Sequence, residues 1–146
     1  ITRIATRFNV PTGVISSYKV GGIKFQYSAI DATGDTYKVA LWNSSSELQS
    51  VILDSDNKGG STNRGNITYY FSTSSLQSLT PGTDYYIGLE FISGSFMSVP
   101  TYTFTSSQDR LAVSRADLCS ATYTSPNWTA DTLSHALIYP IITSIS

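Results

Sequence analysis

The only histidine of the chain, His135, is the one imidazole that could serve as the general base of a Ser-His-acid hydrolase, and Asp131 and Ser134 lie near it in sequence. The sequence contains neither the Gly-x-Ser-x-Gly motif of a strained nucleophile elbow nor any other local motif that would activate a serine. Serine is so frequent that its nearness to His135 carries little information. The sequence therefore predicts a non-enzymatic protein in which His135 has a structural or surface role.

Metal and thiol chemistry are also not indicated. The single cysteine, Cys119, cannot form an internal disulfide, and Cys/His metal-ligand spacing is absent, so a small buried thiol is the interpretation we favour. Asp54 and Asp56, followed by Asn57 and two glycines, have the oxygen-rich character of a Ca²⁺ loop, but the distal bidentate Glu of such loops is missing. A solvated turn is favoured over a metal site, and no cofactor is expected.

Aromatic side chains on outward-facing positions are the remaining candidates for a binding surface. Flat aromatic rings stack on sugar rings, and Tyr and Trp also anchor protein interfaces. The alternative is that both faces of some strands are covered by loops or another subunit, which makes these residues ordinary core. The ligand or interface candidates are Trp42, Tyr70 and Tyr86, on the outward side of their predicted strands, and Tyr123 and Trp128, in a late region predicted to be irregular.

Composition narrows the class of protein. Only 13% of the residues are charged and the formal net charge is −1, so we expect neither nucleic-acid binding nor attraction to anionic membranes. No apolar run is long enough for membrane insertion. The 24 Ser, 18 Thr and 10 Tyr favour an all-β protein and are common in secreted and viral surface proteins. We expect one domain over residues 1–146, and the start at Ile1 suggests a piece of a longer or processed polypeptide.

The clearest structural signal lies in residues 79–91. Pro81-Gly82 fits a type II turn, and Tyr85, Ile87 and Leu89 then alternate with more polar residues, as in a strand with one buried face. This pattern looks like the tyrosine corner of fibronectin type III and other β-sandwich domains. It predicts a central strand whose start is pinned by Tyr85.

Short alternating segments fill the rest of the chain, and no helical periodicity is sustained over ten or more residues. About nine or ten strands with turn signals between them predict an all-β, antiparallel two-sheet β-sandwich, jelly-roll-like. Gly21-Gly22 is expected to separate two strands, and residues 116–131 are expected to be irregular. The predicted strands include residues 3–10, 23–29, 37–42, 48–54, 67–71, 99–105, 110–115 and 135–142.

Several of these segments together resemble virion domains of tailed bacteriophages. The resemblance rests on a strand ending in Leu41-Trp42, on Leu79-Thr80-Pro81-Gly82-Thr83-Asp84-Tyr85-Tyr86 before a central strand, and on residues 48–54, 67–71, 109–115 and 137–142. It implies a structural, decorating or receptor-binding domain of a fibre, tail or capsid, on a virion surface or otherwise extracellular, and it carries over no catalytic residue. Its partners are then other copies of itself, other virion proteins or a host-surface glycan. The alternative is a carbohydrate-binding sandwich module of a secreted or cell-surface protein.

Overall fold

The computed structural model describes residues 3–13, 17–27, 29–30, 36–44, 46–54, 65–93, 97–98, 101–103, 119–131 and 134–145. In these ranges the regular structure consists of thirteen β-strands and one 3₁₀ turn, Thr73–Ser75. None of the described residues forms a helix long and apolar enough to cross a membrane. The strands are β1 (Arg3–Asn9), β2 (Tyr18–Tyr27), β3 (Ala29–Ile30), β4 (Thr36–Trp42), β5 (Glu47–Asp54), β6 (Gly65–Tyr70), β7 (Asp84–Ser93), β8 (Met97–Ser98), β9 (Thr101–Thr103), β10 (Cys119–Thr124), β11 (Asn127–Asp131), β12 (Ser134–Ala136) and β13 (Ile138–Ile145).

Six antiparallel strands form the larger sheet, in the order β11-β10-β1-β7-β4-β5. Three more form the smaller sheet, β13-β2-β6, and two short ladders pair β12 with β9 and β3 with β8. The six- and three-stranded antiparallel sheets confirm the predicted all-β sandwich. Along β1 the alternation is as predicted, with Thr6 and Phe8 buried towards the smaller sheet and Arg3 on the outer face.

The hydrophobic core lies between the inner faces of the two sheets. Thr6 is fully buried there, and its hydroxyl donates a hydrogen bond to the carbonyl of Ile138 at 2.7 Å, which ties the larger sheet to the smaller one. Because burial of each large apolar side chain contributes about 1.5–3 kcal/mol, this core is the main source of stability. It comprises Phe8, Val10, Tyr18, Val20, Ile23, Phe25, Tyr37, Val39, Leu41, Ile67, Phe71, Leu79, Tyr85, Ile87, Leu89, Ala136 and Ile138.

The tyrosine corner predicted at the start of β7 is confirmed. The hydroxyl of Tyr85 accepts a hydrogen bond from the backbone N–H of Thr80 at 2.8 Å. Gly82 takes a φ of 74°, a value that side-chain-bearing residues rarely adopt. The turn is also tied to the end of β1, because Gly82 N donates to the carbonyl of Val10 at 2.7 Å. The corner therefore fixes where β7 begins.

The glycine pair in β2 behaves differently from the prediction. Gly21 and Gly22 lie inside one continuous strand, and the expectation that they separate two strands was wrong. Ile141 of β13 pairs with Gly22 while the next residue of β13 pairs with Val20, so Gly21 forms a β-bulge. A Cβ on Gly22 would lie 2.3 Å from the carbonyl oxygen of Tyr69. Glycine is needed here because β6 approaches β2 so closely.

The late part of the chain is more regular than expected. Residues 119–131, predicted to be irregular, form the hairpin β10–β11, in which Tyr123 pairs with Trp128. The predicted closing strand is divided at Leu137 into β12 and β13. Pro140 is accommodated because β13 is an edge strand of the smaller sheet. The strand predicted over residues 110–115 lies outside the described residues.

Candidate functional site

A row of small residues crosses the outer face of the larger sheet. The cross-strand register places one such residue opposite the next on all six strands. The longer side chains on either side of this row therefore have room to lie flat across the sheet. Larger side chains in the row would occupy that space. In spatial order, this small-residue row consists of Ala130, Ala121, Ala5, Gly88, Ala40 and Ser50.

Four aromatic residues, the aromatic layer, lie over that row: Trp42, Tyr86, Tyr123 and Trp128. The rings of Trp128 and Tyr86 are stacked, with centroids 4.2 Å apart and planes 7° from parallel. Trp128 also lies 5.5 Å from Trp42 and 5.2 Å from Tyr123, with both pairs tilted. Each such aromatic pair contributes about 0.5–1.5 kcal/mol beyond the burial of its area. Trp128 is thus the central contact of the layer.

Arg3 adds a positive charge to the aromatic layer. Its guanidinium carbon lies 4.1 Å from the ring centroid of Tyr123, 4.9 Å from that of Trp42 and 5.9 Å from that of Trp128. These are cation–π distances, each worth about 0.5–1 kcal/mol where the groups are exposed and more where they are desolvated. Arg3 comes from the central strand β1, and it joins rings from β4, β10 and β11.

Four charged side chains alternate in sign next to these rings, and we call them the charge ladder. Arg3 Nε donates to Glu90 Oε2 at 2.6 Å, and Lys38 Nζ lies 3.8 Å from the same oxygen. Lys38 Nζ also lies 2.6 Å from Glu47 Oε2. The ladder runs Arg3, Glu90, Lys38, Glu47, so its two positive and two negative charges cancel.

Glu47, at one end of the charge ladder, has a shifted pKa. Burial alone raises the pKa of its carboxyl group, but hydrogen bonds from Lys38 and Ser50 and the charges of Lys38 and Arg3 outweigh that effect. The pKa of Glu47 is therefore lowered from its ordinary value. The carboxylate is ionised at neutral pH and can accept hydrogen bonds.

A cleft opens where the β4–β5 turn faces the β10–β11 hairpin. Its volume is about 310 Å³. One side is formed by rings of the aromatic layer and the other by the polar turn, whose shape is fixed by a hydrogen bond from Ser46 N to Asn43 Oδ1 at 2.5 Å. Both ends of the charge ladder reach the cleft. Its lining residues are Arg3, Trp42, Asn43, Ser44, Ser46, Glu47, Tyr123, Pro126 and Trp128.

Of the five aromatic candidates from the sequence, four are brought together and one is separate. Tyr70 lies on the smaller sheet and is 67% exposed, as its strand position predicts. Trp42 has the predicted outward direction but is only 1% exposed, which agrees with the alternative that this face of its strand is covered. Because the residues of the small-residue row have short side chains, Trp128 can lie against Trp42. Trp42 Nε1 has no hydrogen-bond partner in the described part of the chain, so ring packing holds this side chain.

The other sequence candidates do not form a site in the described structure. Asp131 ends β11, and Ser134 is buried in β12. His135 belongs to β12, but its side chain is outside the described part. Among the residues that the structure describes, no three His, Cys, Asp or Glu side chains are grouped so as to hold a metal ion. The Ca²⁺-loop candidates lie at or beyond the limits of the described residues: Asp54 is described only in its backbone, and Asp56 is outside them.

The small-residue row and the charge ladder were missed by reasoning from the sequence. Alternation alone shows that Ala5, Ala40 and Gly88 face outward on three strands, which is the available signal. That they lie side by side depends on the pairing register, which the alternation leaves open. The same holds for Lys38 and Glu90, which face each other only because β4 pairs with β7.

Comparison with known proteins adds no relative. No protein family, no curated protein and no solved structure matches the chain. The chemistry of the cleft is therefore argued from its own geometry.

Proposed function

We propose that the chain is a non-enzymatic domain that acts through surface contacts, and that its contact is with a saccharide bound in the cleft. The observation that carries this proposal is the composition of the cleft walls. Aromatic rings of Trp42, Tyr123 and Trp128 lie on one side, and the charged ends of Arg3 and Glu47 lie beside them. An apolar wall beside a set of hydrogen-bonding groups is the arrangement by which small-ligand sites hold and orient a ligand.

A sugar ring has the complementary chemistry. Its C–H face packs against an aromatic ring, while its hydroxyls both donate and accept hydrogen bonds. The carboxylate of Glu47 is an acceptor and the guanidinium of Arg3 is a donor, so both roles of a hydroxyl are met. A volume of about 310 Å³ is at the lower end of small-molecule sites, which suits one or two sugar units.

The setting that we propose for this contact is the surface of a virion. The support is the resemblance of residues 37–43 and 79–86 to virion domains of tailed bacteriophages. A fibre, tail or decorating protein that binds host-surface glycans uses a non-catalytic contact of this kind. The same cleft suits the alternative setting, a carbohydrate-binding module of a secreted or cell-surface protein.

Binding to an immobilised panel of saccharides tests the proposal. The rim residue Ser44 is exposed, so Ser44→Trp should block the cleft without disturbing the aromatic layer. Ser74→Trp, on the exposed 3₁₀ turn, which does not line the cleft, is the matched control. We expect binding that Ser44→Trp abolishes and Ser74→Trp preserves. Absence of binding to every saccharide at millimolar concentration would refute the proposal.

A second candidate function, assembly with further copies of the chain, is favoured by the outer face of the smaller sheet. Tyr70 is 67% exposed and Tyr139 is 40% exposed there, on either side of Gly22 and Lys24 of β2. Exposed aromatic residues are enriched at protein interfaces. An oligomer in sedimentation velocity that is weakened by Tyr70→Ser would support this candidate, and a strict monomer at high concentration would count against it.

A further inference from the structure

We infer that the cleft selects uncharged sugar units and discriminates against acidic ones such as hexuronic acids. This inference rests on the saccharide-binding function proposed above and adds the class of ligand. It comes from the way in which the charge ladder is arranged around the cleft.

Only the two ends of the ladder line the cleft. Arg3 and Glu47 contribute to its wall, whereas Glu90 and Lys38 join them from beside it. A ligand therefore meets one positive and one negative group, each already compensated by a partner 2.6 Å away. The cleft has polarity but no net charge to attract an ion.

The positive end is already committed to a carboxylate within the protein. Arg3 uses Nε to pair with Glu90, and its guanidinium lies over the ring of Tyr123. In the described part of the chain its hydrogen bonding is limited to that Nε contact, so its two Nη groups are available as donors to neutral hydroxyls. A ligand carboxylate could use the same Nη donors, but Glu90 already compensates the charge of the guanidinium, so the attraction is weaker than to an unpaired arginine.

The negative end disfavours an acidic ligand directly. Glu47 lies on the cleft wall, where its side chain is 32% exposed, and a like charge placed against it is disfavoured even though Lys38 compensates part of its charge. The same carboxylate is a good acceptor for a sugar hydroxyl, and a charge-assisted hydrogen bond is stronger than a neutral one. One residue thus favours neutral sugars and opposes acidic ones.

The test compares neutral and acidic saccharides on the wild-type chain and on two variants of equal charge change. The probes are immobilised hexoses and N-acetylhexosamines on one side and hexuronic and sialic acids on the other. Glu47→Gln removes the negative end of the ladder. Asp84→Asn is the matched control. Asp84 pairs with Asn9 of β1, and Asn9 is six residues along that strand from Arg3, a distance of about 20 Å.

We expect wild-type affinity for neutral sugars to exceed that for acidic ones by about tenfold or more. Glu47→Gln should weaken the binding of neutral sugars and lower the ratio of neutral to acidic affinity by about the same factor. Asp84→Asn should change neither the binding of neutral sugars nor this ratio. Preference for acidic sugars, or a ratio unchanged in Glu47→Gln, would overturn the inference while leaving saccharide binding in place. Absence of binding to either class would instead refute the proposed function, and the inference with it. Thermal melts of both variants show whether the fold is retained.

Discussion

Replacement of Trp128 by Ala tests whether the aromatic layer is what buries Trp42. The substitution removes a stacked partner of Tyr86 at 4.2 Å and the ring that lies 5.5 Å from Trp42. Removing a fully buried aromatic side chain costs about 3–5 kcal/mol. Trp128 is half-buried, so we take about half of that range and add about 0.5–1.5 kcal/mol for the lost stacking. The free energy of unfolding should fall by about 2–4 kcal/mol.

Two measurements check this value. Urea unfolding gives the free energy directly, and Tm should fall by about 6–12 °C at roughly 3 °C per kcal/mol for a domain of this size. The chain has two tryptophans, so Trp42 is the only one left in Trp128→Ala and reports its own environment by fluorescence. Its emission should shift to the red and become accessible to a soluble quencher, because Trp128 no longer covers it.

Trp128→Phe is the control, since it keeps a ring that can stack on Tyr86. We expect a smaller loss of stability and a Trp42 emission that stays blue. If Trp128→Ala unfolds with a loss below about 1 kcal/mol and the emission of Trp42 is unchanged, the layer does not bury Trp42 and the reasoning about the cleft wall is wrong.

Three further predictions concern the corner, the small-residue row and the charge ladder. Tyr85→Phe removes the acceptor of a backbone N–H and should lower the free energy of unfolding by about 1–2 kcal/mol, whereas Tyr70→Phe, at an exposed ring, should change it by less than about 0.5 kcal/mol. Gly88→Ala places a Cβ 2.1 Å from a backbone oxygen of β1 and should cost at least about 1–3 kcal/mol in urea unfolding, whereas Gly13→Ala meets no atom within 4 Å and should cost little. The pKa of Glu47 is lowered in the folded protein. Its contribution to the free energy of unfolding is therefore full above the ordinary Glu pKa and is lost as the pH falls through the lowered value. Glu47→Gln should flatten the acid limb of a plot of Tm against pH.

The elements that reasoning from the sequence predicted well are those with their own local signal. Tyr85, Ile87 and Leu89 alternate without interruption after Pro81-Gly82, so both the corner and the inner face of β7 followed from that stretch. The hairpin β10–β11 was missed because its outward residues include Ala121 and Ala130, whose small side chains give little apolar alternation. Ala121 is buried and Ala130 is half-buried, which their small side chains do not indicate in the sequence.

The candidate site was predicted as a set of residue types but not as an arrangement. Outward alternation identified Trp42 and Tyr86, and Tyr123 and Trp128 were candidates as aromatic residues of a region predicted to be irregular. Their exposure could not be read from alternation, because a strand pattern gives the side of the sheet on which a residue lies and not what covers that side. Alternation therefore leaves open whether Trp42 is a surface or a covered residue, and the structure shows it to be 1% exposed.

By itself the sequence determined the all-β class and the corner at Tyr85, because turn residues and the two-residue period of strands are local signals. The same period also determined the side of the sheet on which Arg3, Trp42 and Glu90 lie. Tertiary structure alone decided that these side chains meet. Strand order and register place β1 between β7 and β10, and a shift of one residue would move every one of them to the opposite face. The aromatic layer, the charge ladder and the cleft are products of that long-range pairing.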